Sequence, residues 1–138
     1  MQQMIMINSH PHDIYRKQDV MTASSVDLIV MLYDALKKNV VLGQRGIEKK
    51  DVLGAHRHLM KAQEIIAELI GSLDMNYQIS EELLSIYDFM LSSVRDANVH
   101  KDAKPIEPLI GMIDSLRSAW SEIGMANKGN MHWKEEQA

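Results

Sequence analysis

The chain predicts an all-α fold, an antiparallel up-down four-helix bundle, and three observations carry that prediction. From residue 25 to 124 apolar residues recur at intervals of three and four, the spacing that stacks side chains along one helix face. No stretch alternates with period two, so no half-buried strand competes for these residues. The breaks around Gly46 to Lys50, Met75 to Ile79 and Lys101 to Lys104 are short, and connections this short make successive helices antiparallel neighbours.

The first helix opens in "MTASSVDLIVMLYDALKK", where Ser24 or Ser25 can cap it through a side-chain oxygen that accepts from a first-turn amide. Leu28, Leu32, Ala35, Asn39 and Leu42 form one seam, and Ile29, Tyr33, Leu36, Val40, Gly43 and Ile47 a second beside it. Gly43 and Gly46 are expected to end this helix. The second helix, capped by Asp51, carries Val52, Ala55, Leu59, Ala62, Ile66, Leu69 and Leu73 in a regular bundle seam. The third, capped by Ser80, carries Leu83, Tyr87, Met90, Val94 and Ala97. The fourth, with Pro105 suited to its first turn, carries Ile106, Leu109, Ile113, Leu116, Trp120 and Ile123. The organisation expected is a loosely structured N-terminal arm over 1–24, the bundle over 25–124, and a polar C-terminal tail over 125–138.

These helices hold more apolar residues than their seams use. Val26, Val30 and Met31 lie off both rows of the first, Leu53, Met60 and Ile70 lie beside the seam of the second, and Leu84, Ile86, Phe89 and Leu91 beside that of the third. A helix with two neighbours in a bundle needs a wide apolar stripe, so part of this surplus is core packing. Rows left over on adjacent helices form grooves of the kind that accept amphipathic partner helices. Eleven methionines fit either role, as gap fillers or as adaptable contact residues.

Composition excludes several classes. At 138 residues the chain is expected to be one domain able to bury a core without staples, and with no cysteine it offers no disulfide, thiol catalysis or cysteine-ligated zinc. The net charge of -4 lacks the basic footprint of nucleic-acid binding. The apolar run Met4 to Ile7 is far too short for a signal core or a membrane span, which predicts a cytoplasmic protein without membrane insertion.

Convergent chemistry is sparse. His56 and His58 sit two apart, so on a helix they point about 200° away from each other and cannot share a metal ion. His10 and His12 flank Pro11 in the arm and read as solvated histidines. Carboxylates such as Asp27, Asp34, Glu64, Glu68, Asp88 and Asp114 sit among bases such as Lys37, Lys38, Lys61 and Arg117 in the manner of a solvated helix face, and no histidine follows a glutamate by three residues as in carboxylate-bridged bundles. Gly54, Gly71 and Gly111 stand alone inside helices, where close helix approach or a ligand groove is the usual reason. No catalytic, metal or cofactor site is expected, and the chain reads as a non-enzyme.

Five collinear blocks carry a family resemblance: Tyr15 with "VMTAS" at 20–24, "LIVMLYDAL" at 28–36, "LMKAQEIIAELIGSLD" at 59–74, "IYDFMLSSVRDANVHKD" at 86–102 and "LRSAW" at 116–120. In these the chain resembles the FliS family of flagellar secretion chaperones. It departs from the family pattern at Ser25, where proline is usual, and at Ala35, where glycine is frequent; neither change opposes a helix. The segment before Tyr15 does not align securely with the family pattern, so no family role is carried over to it.

The resemblance implies a bundle around which the C-terminal segment of flagellin wraps, folding into short helices in apolar grooves and so kept from premature polymerisation. It also implies delivery to the flagellar export gate, with an N-terminal segment that plugs part of the surface in the free state. On that reading Tyr15 and Met21 belong to the arm. Met31, Tyr33, Met60, Ile65, Phe89 and Leu91 are apolar groove candidates, and Asp34, Gln63 and Asn98 polar ones. The alternative is a regulatory or adaptor bundle whose main partner is another flagellar assembly or control protein.

Overall fold

The structure, a computed structural model, describes residues 23–137 and the side chains of 25–125. The described residues form four α-helices and one 3-10 turn, with no strand: α1 (Ala23–Glu48), α2 (Val52–Gly71), α3 (Gln78–His100), the 3-10 turn Lys104–Ile106, and α4 (Leu109–Gln137). They group into two compact units, Leu32–Leu116 and the flanking residues 23–31 with 117–137.

Within Leu32–Leu116 each element contributes to one core. Tyr33, Leu36 and Val40 come from α1, and Ala55, Leu59, Ala62, Ile66 and Leu69 from α2. Leu83, Tyr87, Met90, Val94 and Ala97 come from α3; Ile106, Leu109 and Ile113 follow from the 3-10 turn and α4. The seams predicted for α2 and α3 are therefore the buried stripes, apart from Val52, which is exposed, and Leu73, which is half-buried beyond the end of α2. Of the two rows on α1 the second is the core row, because Tyr33, Leu36, Val40 and Gly43 are all buried while Leu28 of the first is exposed.

Helices α1 and α2 run antiparallel and close together, and Gly43 and Gly46 permit the approach. A Cβ on Gly46 would stand 2.9 Å from the Ala55 amide nitrogen, and one on Gly43 would stand 2.5 Å from a Leu59 methyl. These glycines are thus inside α1 rather than at its end, and helix contact explains them. Chain reversal comes later, where Lys50 takes a left-handed φ of 62° before the Asp51 cap. The Asp51 side chain accepts from the Gly54 amide at 3.0 Å, as expected of an N-cap. A Cβ on Gly54 would crowd that carboxylate, so any side chain there makes the Asp51 side chain shift.

Three further expectations are corrected. α3 begins at Gln78, not at a Ser80 cap; Ser80 is buried and its hydroxyl donates to the Asp74 carbonyl at 2.6 Å, closing the α2–α3 turn instead. Pro105 stands in the 3-10 turn before α4, where its missing N–H costs nothing. α4 stays helical to Gln137 through the stretch read as a polar tail, because Ala126, Lys128, Met131, Lys134 and Glu135 are good helix formers and no proline stops propagation.

In the flanking unit Val26 is buried, with Gly124 beside it: a Cβ on Gly124 would stand 3.0 Å from a Val26 methyl. Val26, off both predicted rows, therefore has a packing partner rather than a place on the surface.

Candidate functional site

The site is built on the α2–α3 pair, and one polar contact sets its register. His56 near the start of α2 meets Asn98 near the end of α3, with the imidazole Nδ1 3.1 Å from the Asn98 amide nitrogen and 3.3 Å from its oxygen. Lys101 decides between these two pairings. Its ammonium donates to Asn98 Oδ1 at 2.8 Å and also to the Asn98 carbonyl, so Oδ1 is engaged and the Asn98 NH2 is the donor toward His56. In the neutral imidazole the proton then sits on Nε2. Lys101 is held for this by the left-handed backbone that terminates α3, at φ 50°.

From that contact the antiparallel register runs in heptads. His56, Gln63 and Ile70 recur at intervals of seven on α2, as Asn98, Leu91 and Leu84 do in the opposite direction on α3. Equal rise per residue sets Gln63 opposite Leu91 and Ile70 opposite Leu84, with each heptad drifting by only about 20°. These four are half-buried, so the pairs line a shallow seam open to solvent along the outside of the core. Its outer edge on α2 is Leu53, Met60 and Ala67, again seven apart and all exposed. Gln63 Nε2 donates to the Met60 sulfur at 3.5 Å. The seam is polar at the His56 end and apolar at the Ile70 end.

The structure thus brings together four of the residues singled out from sequence, Met60, Gln63, Leu91 and Asn98. It separates others. Phe89 is exposed, but two residues from Leu91 on a helix it points about 200° away, onto the opposite flank of α3 with the half-buried Ile86. Tyr33 and Ile65, offered as groove residues, are core, with Tyr33 fully buried and its hydroxyl 2.5 Å from that of Tyr87. Burial leaves them no surface to offer a partner. Asn98 is buried and braces the end of α3, and Asp34 and Met31 are exposed on α1. Tyr15 and Met21 lie outside the described residues.

Sequence reasoning left three seam residues off the site: His56, Ile70 and Leu84. The heptad spacing of 56/63/70 against 84/91/98 was the available signal, but it needs one known contact to fix the register. Among the described residues no three histidine or acidic side chains gather as a metal site. Nor is any described helix long and apolar enough to cross a membrane.

An all-α bundle with a half-open apolar seam offers the kind of surface that accepts an amphipathic partner helix. The chain belongs to the FliS family: the family model described as "Flagellar protein FliS" matches residues 6–127. It is 29% identical over 123 residues to the flagellar secretion chaperone FliS of Bacillus subtilis, covering 89% of this chain and 92% of that one. It is 34% identical over 107 residues to the Salmonella typhimurium protein of the same name, covering 75% and 79%. The Vibrio cholerae counterpart is 27% identical over 103 residues.

Proposed function

We propose that this chain is a cytoplasmic flagellar secretion chaperone that takes the C-terminal segment of flagellin into the α2–α3 seam, prevents premature polymerisation and delivers it to the export gate. The observation that carries this reading is the heptad-registered row of half-buried Gln63, Leu91, Ile70 and Leu84, edged by exposed Met60. A seam of this kind accepts the apolar face of an incoming helix, and the exposed methionine adapts to its shape.

Flagellin's terminal region becomes ordered coiled structure only in the filament, so before export it is apolar and adhesive. Ordering it on the bundle consumes part of the contact energy, which leaves affinity moderate for the area covered and makes release possible without ATP. On this reading the arm that carries Tyr15 and Met21 competes with cargo for apolar surface, and cargo binding then frees the arm for the export gate. Such competition lowers apparent affinity by the fraction of molecules in which the seam is open.

Purified flagellin, induced to polymerise with and without an equimolar amount of this chain, tests the reading by sedimentation. Retention of flagellin in the supernatant is expected; undiminished filament formation in the presence of folded chain would refute it. Hydrogen exchange covers the arm: equal protection of residues 15–21 with and without flagellin would remove the exchange step and leave the seam reading intact.

A further inference from the structure

The end of the bundle formed by the α2–α3 turn has a surface the seam does not use. Met75, Tyr77 and Ile79 stand 52%, 52% and 56% exposed within five residues of one another. The turn that presents them is fixed: the Asp74 carboxylate accepts from the Asn76 amide at 3.0 Å, and the Asp74 carbonyl accepts from Ser80 at 2.6 Å and from the Tyr77 amide at 3.2 Å. A single exposed apolar residue is ordinary, but three on one braced turn form a patch.

Charge along the chain on either side of that patch is one-sided. From Ala62 to Val94 the chain holds Glu64, Glu68, Asp74, Glu81, Glu82 and Asp88 and no lysine, arginine or histidine. Glu64 has Lys61 at 3.7 Å, whereas Glu68, Glu81, Glu82 and Asp88 are in no ion pair among the described residues. Glu81 has a structural reason, since it lies in the first turn of α3 and complements the helix dipole. Glu68 has the opposite placement: it lies in the last turn of α2, where the dipole disfavours an anion. Helix stability therefore does not account for the whole carboxylate set.

We infer that the α2–α3 turn is a second docking surface, for a cationic amphipathic helical segment of a partner protein whose apolar face covers Met75, Tyr77 and Ile79 while its lysines or arginines meet Glu68, Glu81 and Glu82. Charge complementarity fixes the occupant's sign, and the three apolar side chains require that it be amphipathic rather than merely basic. The surface is distinct from the seam and does not depend on flagellin as the cargo there.

The test is NMR chemical-shift mapping on the full chain, using as probe a synthetic leucine/lysine amphipathic helix of about 18 residues, or five turns. A leucine/glutamate helix and a scrambled peptide of the same composition as the first serve as controls. Shifts centred on residues 72–82 for the leucine/lysine helix alone are expected. Binding should weaken at least about tenfold in a Met75→Ser/Ile79→Ser variant, fall with added salt, and be unchanged in Met60→Ser. Glu81→Gln/Glu82→Gln, which spares the apolar residues, should weaken it as well. Equal binding of the scrambled peptide, shifts centred on Met60 and Leu91, or full binding by the folded serine variant would overturn the proposal. So would self-association of the chain that the same serine substitutions abolish, since the occupant would then be a second copy.

Discussion

The hydroxyl oxygens of Tyr33 and Tyr87 lie 2.5 Å apart in the bundle core, a buried hydrogen bond that ties α1 to α3. Burial pushes the Tyr87 phenol above its ordinary pKa, and the bond from Tyr33 offsets this only in part. Because the folded pKa exceeds the unfolded one, this group's contribution to stability is complete below pH 10.0, the ordinary value. It is lost as pH rises from there through the folded pKa. Urea unfolding across that range should show wild type losing stability faster than Tyr87→Phe. At neutral pH the same variant should be less stable by about 1 kcal/mol, the typical net value of one buried hydrogen bond.

Two glycine substitutions should have opposite signs. Gly46→Ala drives a methyl into the Ala55 backbone at 2.9–3.0 Å and should destabilise by about 1–3 kcal/mol. Gly111→Ala meets nothing within 4 Å, its φ is not positive, and it should stabilise α4 by about 0.5–1 kcal/mol. Thermal melts of the two variants decide this directly.

The Asp51 cap and Gly54 should couple. Asp51→Ala costs about 1 kcal/mol through the lost cap. Gly54→Ala should forfeit the stabilisation that helix propensity would otherwise give, because its methyl displaces the capping carboxylate. In the double variant the clash is gone, so the combined cost should fall short of the sum in a double-mutant cycle.

Asn98 is expected to matter for stability before it matters for binding. It links His56 of α2 to Lys101, so Asn98→Ala removes these hydrogen bonds at the helix end and should cost about 1 kcal/mol. Denaturant midpoints of Asn98→Ala against Met60→Ser, which alters an exposed side chain and should stay within about 0.5 kcal/mol of wild type, separate brace from docking surface.

The buried rows of α2 and α3 were legible in the sequence because each helix repeats one seam at regular spacing. The start of α3 and the place of Pro105 were not, since a turn held by Asp74 and Ser80 and a 3-10 segment carry no periodicity to read. α1 gave two plausible rows, and only contact with its neighbours selects the one through Tyr33. The same limit applied to the site. Met60 and Leu91 were visible as surplus apolar residues, but Phe89 looked equivalent until the register placed it on the other flank. Tyr33 and Ile65 had groove-like spacing and are core, a distinction that rests on where the next helix lies.

The most direct measurement is calorimetric titration of the chain with a purified peptide spanning the last few dozen residues of the same organism's flagellin. The account predicts saturable one-to-one binding with a negative heat-capacity change, weakened at least about tenfold in a folded Met60→Ser/Leu91→Ser variant. No binding by the folded chain, or binding indifferent to those two substitutions, would contradict the claim that the α2–α3 seam holds the cargo.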